Sequence, residues 1–336
     1  MAVASPIWGV LGDRFGRKPM LLRSMLGGAI TVGLIFFAQN PFQLIVLRFL
    51  QGATSGTVAA ATALVAAETP RSRVGWALGV VTSAVALGGA IGPVVGGLAG
   101  DLFGLRLVFL GGGIALLLAV APVVLIVRES PVVPRSGTRL STLAVINQRP
   151  GLRQQLAVFI GSQGLISVCN SATQLLVVLR LLEMVTSGVA ATAGVAFGLA
   201  GVASSAAAIG YTRVARRTGY VRTAAAAAVL VAFAVAVIGV APWVGLVVIA
   251  VGFNGMFSGV VLPATASMIG LETPPEAQST VFGLNASSVA LGFFIGPLIA
   301  GPVAATSSVQ ASLFVIALLA ALLAVLLATR AREPAR

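Results

Sequence analysis

The chain contains no histidine, one cysteine, two tyrosines and only eight aspartates and glutamates among its 336 residues. Without histidine, the side chain that most often moves protons near neutral pH is missing, along with the commonest metal ligand. Cys169 alone can form neither an intrachain disulfide nor a paired-thiolate metal site. The few acids lie at the edges of apolar runs, so a hydrolytic or metal-dependent centre has almost nothing to be built from. The sequence predicts a protein that is not an enzyme, with no catalytic residue, no metal and no cofactor.

Charge is scarce as well. Charged residues make up 9% of the chain, against about a quarter in soluble domains. Hydrophobic residues reach 58% and the mean hydropathy is +1.06, which places the chain in a bilayer. Crossing a hydrocarbon core of roughly 30 Å takes about 20 apolar residues as a helix, and such runs recur over 20–38, 42–66, 74–100, 105–127, 154–182, 188–210, 223–240, 244–271, 279–304 and 309–328. Strands of a membrane barrel would alternate polar and apolar residues, and these runs do not. An all-α membrane protein with about ten complete spans is expected.

The net charge of +13 would suit a nucleic-acid partner, but its distribution argues for topology instead. Threading the ten spans puts Arg14, Arg17, Lys18, Arg23, Arg71, Arg73, the arginines of 128–153, those of 213–222 and Arg330, Arg332 and Arg336 on one side. Only Arg106 and Arg180 fall opposite, and Arg48 lies within a span. An excess of Lys and Arg marks the cytoplasmic face. The expected partners are the lipid bilayer and small molecules, with no nucleic acid.

The segment 128–153 is the longest polar stretch, rich in proline and arginine, and reads as a cytoplasmic linker. The expected organisation is an N-terminal bundle over 1–127, this central loop, a C-terminal bundle over 154–329 and a cytoplasmic tail over 330–336. The halves are copies. "AAETPRSRVGWALGVVTSAVALGGAIGPVVGG" aligns without gaps on "GLETPPEAQSTVFGLNASSVALGFFIGPLIAG" at an offset of 204 residues, 272 less 68 and 296 less 92. An even number of spans separates the copies, so the repeat is parallel. A fainter element, "VARRTGYVR" around Gly219, repeats the loop around Gly16 at an offset of 203, with Arg216 where the first copy has Asp13.

Three motifs carry chemistry. In "GVLGDRFGRKPML", Gly9, Asp13, Arg14, Gly16, Arg17 and Lys18 form a compact charged hairpin whose glycines allow close helix approach. In "LIVLRFLQG", Arg48 sits within the membrane ahead of Gln51 and Gly52, and an intramembrane cation ordinarily faces a cavity or a counter-charge. In "GVVTSAVALGGAIGPVVGG", Gly79, Gly88, Gly92, Pro93, Gly96 and Gly97 make one helix face thin and bendable. Candidate polar and aromatic groups for a cavity are Gln163, Asn170, Gln174, Asn254, Phe257 and Asn285, with Phe253 and Phe282 near them in sequence. Hydrogen bonding between helices is the competing role for each polar one.

Together these motifs resemble the major facilitator superfamily, specifically its drug:proton antiporter branch of twelve-helix efflux pumps, over the whole chain. The resemblance implies two helical bundles working by alternating access and proton-coupled export of drugs or small amphipathic compounds across the inner membrane. It implies a conformational-gate role for the first motif, proton coupling at Arg48, and the proton gradient as energy source. It implies a monomer, with the motif loop, central loop and C-terminus cytoplasmic. Transport of one specific metabolite is the alternative. Counted against twelve helices, helix one and most of helix two are missing, "MAVASPIWGVL" reading as the last turns of helix two, so an N-terminally truncated chain that does not transport is a further expectation. No acid lies mid-membrane to serve as the proton site.

Overall fold

The computed structural model describes residue 8 and residues 16–70, 74–127, 151–273 and 278–333. Gly9, Asp13 and Arg14 of the first motif lie outside the described residues. Among the described residues the helices are α1 (Arg17–Leu34), α2 (Pro41–Thr54), α3 (Thr57–Glu68), α4 (Val74–Phe103), α5 (Leu105–Ile126), α6 (Leu152–Met184), α7 (Val189–Thr218), α8 (Tyr220–Val240), α9 (Val244–Glu272), α10 (Gln278–Thr306) and α11 (Val309–Arg330). Helices close every backbone hydrogen bond within themselves, which is what lipid demands of a spanning segment. Among the described residues, eight helices are long and apolar enough to cross a membrane.

The run 42–66, expected as one span, is instead the pair α2 and α3. Ser55 is extended at ψ 173° and Gly56 holds φ +126°, a backbone region that favours glycine. The carbonyls around the break are met by side chains. The indole of Trp8 donates to the Ala53 carbonyl at 2.8 Å, and Arg23 Nη2 donates to that of Ser55 at 3.4 Å. The Arg23 guanidinium also lies 3.5 Å above the Trp8 ring. Trp8→Phe keeps this aromatic platform but removes the donor, and is expected to cost about 1 kcal/mol, measurable as a lowered melting temperature in detergent. At the far end of α1, Asn40 caps α2 by accepting from the Gln43 N–H at 2.9 Å, with Pro41 at the first helical position.

The chain divides into two compact units. The first comprises 1–88 and 98–137, the second 89–97 and 138–336. In the first unit α1 packs on α2, α3 and α5, and Gly33 and Gly113 let α1 and α5 touch through backbone, a Cβ on Gly113 standing 2.8 Å from Gly33 Cα. In the second unit α6 contacts α9, α10 and α11, α7 lies along α9, and α8 packs on α9 and α11. Its core is lined by Phe159, Ile166, Leu176, Ile238, Met268 and Leu323, all buried.

The second copy of the repeat builds the α6–α10 seam. Gly292 and Gly296 of α10 press against Gly164, Ser167 and Ser171 of α6 with no room for a Cβ, and Ser171 Oγ donates to the Gly292 carbonyl at 3.2 Å. Small residues do this work in membranes because lipid offers no hydrophobic drive between helices, so close contact decides which faces associate.

Candidate functional site

Part of the glycine-rich segment of α4 is closely packed. Residues 89–97 belong to the second unit, where they lie on α7. A Cβ at Gly194 would run into the Pro93 carbonyl oxygen, and one at Gly97 into the Ala190 carbonyl oxygen. Gly198 faces Val94, and a Cβ on Gly201 would stand 2.9 Å from Ala90 Cα. Sequence reasoning named Pro93 and Gly97 but missed Gly194, Gly198 and Gly201, although their small-residue spacing in "GVAFGLAG" signals close helix packing. Gly88 and Gly92 meet nothing within 4 Å, Gly96 is half-buried, and Gly79 lies in the first half of α4.

Arg48 stands on the exposed face of α2 in the first unit. Its Nη1 donates to Gln51 Oε1 at 2.8 Å, and its guanidinium lies 5.3 Å from the centre of the Phe109 ring on α5. Among the described residues no carboxylate pairs with it. Gln51 is thus brought to Arg48 by helical spacing, Gly52 follows it on the same turn, and Phe109 is a neighbour that no motif signals.

The described part of the first motif begins at Gly16, whose φ of 103° opens α1. Arg17 and Lys18 form its first turn. Lys18 Nζ donates to the carbonyls of Val124 at 3.0 Å and Val127 at 2.6 Å, placing a cation at the C-terminal end of α5, where the helix dipole favours it.

The polar groups of the second unit divide into two sets. Gln163 is buried and its Nε2 donates to the Leu262 carbonyl of α9 at 2.9 Å. Tyr211 of α7 donates to the next carbonyl, that of Pro263, at 3.3 Å or shares its proton with Ser267 at 2.7 Å. Both serve the stretch of α9 around Pro263, whose ring removes a backbone donor. Asn170 accepts from Ser258 Oγ at 2.8 Å, so Gln163 and Asn170 join α6 to α9. Gln174 is exposed. The second set is unmet: Asn254 and Asn285 each hold a buried carbonyl oxygen without a partner, as does the Thr173 hydroxyl. Phe253 and Phe257 stack along α9 with ring centres 6.1 Å apart, while Phe282 stands by Gly270 near the end of that helix. Among the described residues no cluster of carboxylates, thiols or imidazoles could hold a metal ion.

The model of the Major Facilitator Superfamily matches residues 1–227 and 176–336. Multidrug resistance protein MdtG of Rahnella sp. (strain Y9602) is 32% identical over 323 residues, 95% of this chain and 77% of that protein. Its counterpart in Proteus mirabilis (strain HI4320) is 31% identical over 328 residues, 94% of this chain and 79% of that protein. The fold is similar to that of the human organic anion transporter MFSD10 (TETRAN), with a TM-score of 0.65 at 22% identity over 97% of this chain and 80% of that one. It is also similar to the Escherichia coli fucose:proton symporter FucP, with a TM-score of 0.62 at 16% identity over 98% of this chain and 88% of that one.

Proposed function

The chain belongs to the Major Facilitator Superfamily, and from that membership we propose that it exports drugs or other small amphipathic compounds across the inner membrane in exchange for protons. Membership makes it an integral membrane protein concerned with transport rather than catalysis. The observation that carries the finer reading is the seating of Pro93 and Gly97 on Gly194 of α7. A glycine–proline segment of this spacing marks the antiporter branch, and the curated relatives are multidrug resistance proteins.

In this reading the bundles are 1–127 and 154–329, joined by a cytoplasmic loop over 128–153, with the tail 330–336 also cytoplasmic. The first-motif loop gates the conformational change, and Arg48 with Gln51 couples it to protons. Substrate meets uncharged groups: the unpartnered carbonyl oxygens of Asn254 and Asn285 accept hydrogen bonds from it, and the Phe253–Phe257 stack offers apolar surface. The protein works as a monomer and needs no cofactor beyond the proton gradient.

The test is ethidium accumulation in cells expressing the protein, with and without a protonophore. Accumulation is expected to rise to the level of cells without the protein, and Arg48→Ala cells are expected to sit at that level beforehand. Low accumulation that persists after the gradient collapses would overturn proton-coupled export.

A further inference from the structure

Gly219, directly before α8, matches Gly16, directly before α1, in backbone conformation as well as in sequence. Gly219 holds φ 95° and ψ 153°, and Gly16 holds φ 103° and ψ 154°. The copies differ in charge, since Arg216 stands where the first has Asp13. The second loop therefore brings no acid of its own to the start of the helix that follows, where the first N–H groups have no partner within the helix.

A carboxylate is nevertheless there, delivered by the far end of the chain. Glu333 Oε2 accepts from the Tyr220 N–H at 2.9 Å and Oε1 from the Val221 N–H at 2.8 Å. An anion bonded twice at a helix N-terminus gains from charge-assisted hydrogen bonds and from the helix dipole. Gly219 makes the approach possible, because a Cβ there would run into the Glu333 carboxylate. The tail is held on its way: Gln155 Nε2 donates to the Arg330 carbonyl at 3.1 Å, and the Arg332 N–H donates to Gln155 Oε1 at 2.9 Å. The ends of α6, α8 and α11 are thus tied through one strap of three residues.

Two further observations mark the strap as part of the duplicated design. The dipeptide Arg332-Glu333 repeats Arg128-Glu129 at the same offset of 204, 333 less 129. In the first unit, Lys18 at the start of α1 bonds the last carbonyls of α5. The 204-residue offset makes α5 the counterpart of α11, and the glycine loops make α1 the counterpart of α8. Each unit thus joins the same two helices by a charge at a helix terminus, with a cation on carbonyls in one and an anion on N–H groups in the other.

We propose that Glu333 is a positioning residue of the transport cycle, the carboxylate that the second loop lacks, holding this end of the second unit together so that α6, α8 and α11 move as one block. The role in the cycle rests on the transport reading above, while the strap itself does not. The test combines amide hydrogen exchange with flux, on full-length protein in lipid bilayers. In Glu333→Ala, the amides of Tyr220 and Val221 are expected to exchange on the order of ten-fold faster or more, with the Ser308-capped amide of Ala311 as an unchanged reference. In proteoliposomes, the same variant is expected to lower the maximum ethidium flux several-fold at an unchanged half-saturating concentration, with partial recovery in Glu333→Asp. Unchanged exchange at Tyr220 and Val221 would overturn the strap. Faster exchange with an unaltered maximum rate, or a shifted half-saturating concentration, would overturn the positioning role. Absence of flux in the wild type, with these amides still dependent on Glu333, would overturn the transport reading and leave the strap standing.

Discussion

Gly194→Leu is expected to reduce ethidium efflux to the level of cells lacking the protein. The Pro93 carbonyl occupies the space where a side chain at 194 would begin, and Gly97 Cα would lie 3.2 Å from its Cβ. Both obstacles are backbone, which cannot swing aside as a flexible side chain can, so α7 and residues 89–97 must separate. Overpacking a close seam costs about 1–3 kcal/mol, and a wedge against backbone falls at the upper end of that range. A fall in melting temperature should therefore accompany the loss of efflux. Gly92→Ala is the informative control: Gly92 belongs to the same motif but has no neighbour within 4 Å, so its melting temperature should match the wild type. Equal destabilisation by the two substitutions would show that composition, rather than the α4–α7 contact, matters here.

Arg48→Ala is expected to lower gradient-driven efflux at least ten-fold while leaving stability almost unchanged. The side chain is exposed and its contacts are the Gln51 amide at 2.8 Å and the Phe109 ring at 5.3 Å. A cation over an aromatic ring at an exposed site contributes about 0.5–1 kcal/mol, so thermal unfolding should move by a degree or two at most. Arg48→Lys keeps the charge but loses the planar fork that reaches Gln51 and lies over Phe109, and should retain intermediate activity. The pair of readouts separates coupling from folding. Efflux that survives Arg48→Ala at full rate and still depends on the gradient would remove Arg48 from the coupling machinery.

The helical fold was legible because hydropathy is strong wherever a chain must satisfy lipid. The break at Ser55 and Gly56 was not, since glycine and serine are tolerated inside membrane helices, and the distant donors Trp8 and Arg23 that meet carbonyls at the break are not signalled by the local sequence. Which helices touch was hard to read for a related reason. Val120 is buried while Leu118 and Leu125 on the same helix are exposed, yet all three are equally at home in hydrocarbon, so no polar face reveals the packed one. Glycine content alone did not settle it either: Gly292 and Gly296 make the α6–α10 seam, while Gly88 and Gly92, their counterparts at the 204-residue offset, meet nothing within 4 Å.

The polar residues divide along the same physical line. Gln163 and Asn170 stood out in the sequence as amides in an apolar run, but their partners, the Leu262 carbonyl and Ser258, depend on how α6 meets α9. Phe109 lies 61 residues beyond Arg48, 109 less 48, and no local pattern links them. Glu333 read only as an acid in a tail, because a hydrogen bond to backbone N–H groups 112 and 113 residues away leaves no trace in side-chain identity.

The most direct test of proton-driven export uses purified protein in liposomes with an imposed pH gradient, acid inside, and ethidium outside with DNA trapped in the lumen to report its entry. The account predicts dye uptake that starts with the gradient, stops when a protonophore dissipates it, and is lost in Arg48→Ala. Uptake of equal rate with and without the gradient would contradict proton coupling, and no uptake above protein-free liposomes under either condition would contradict export by this chain.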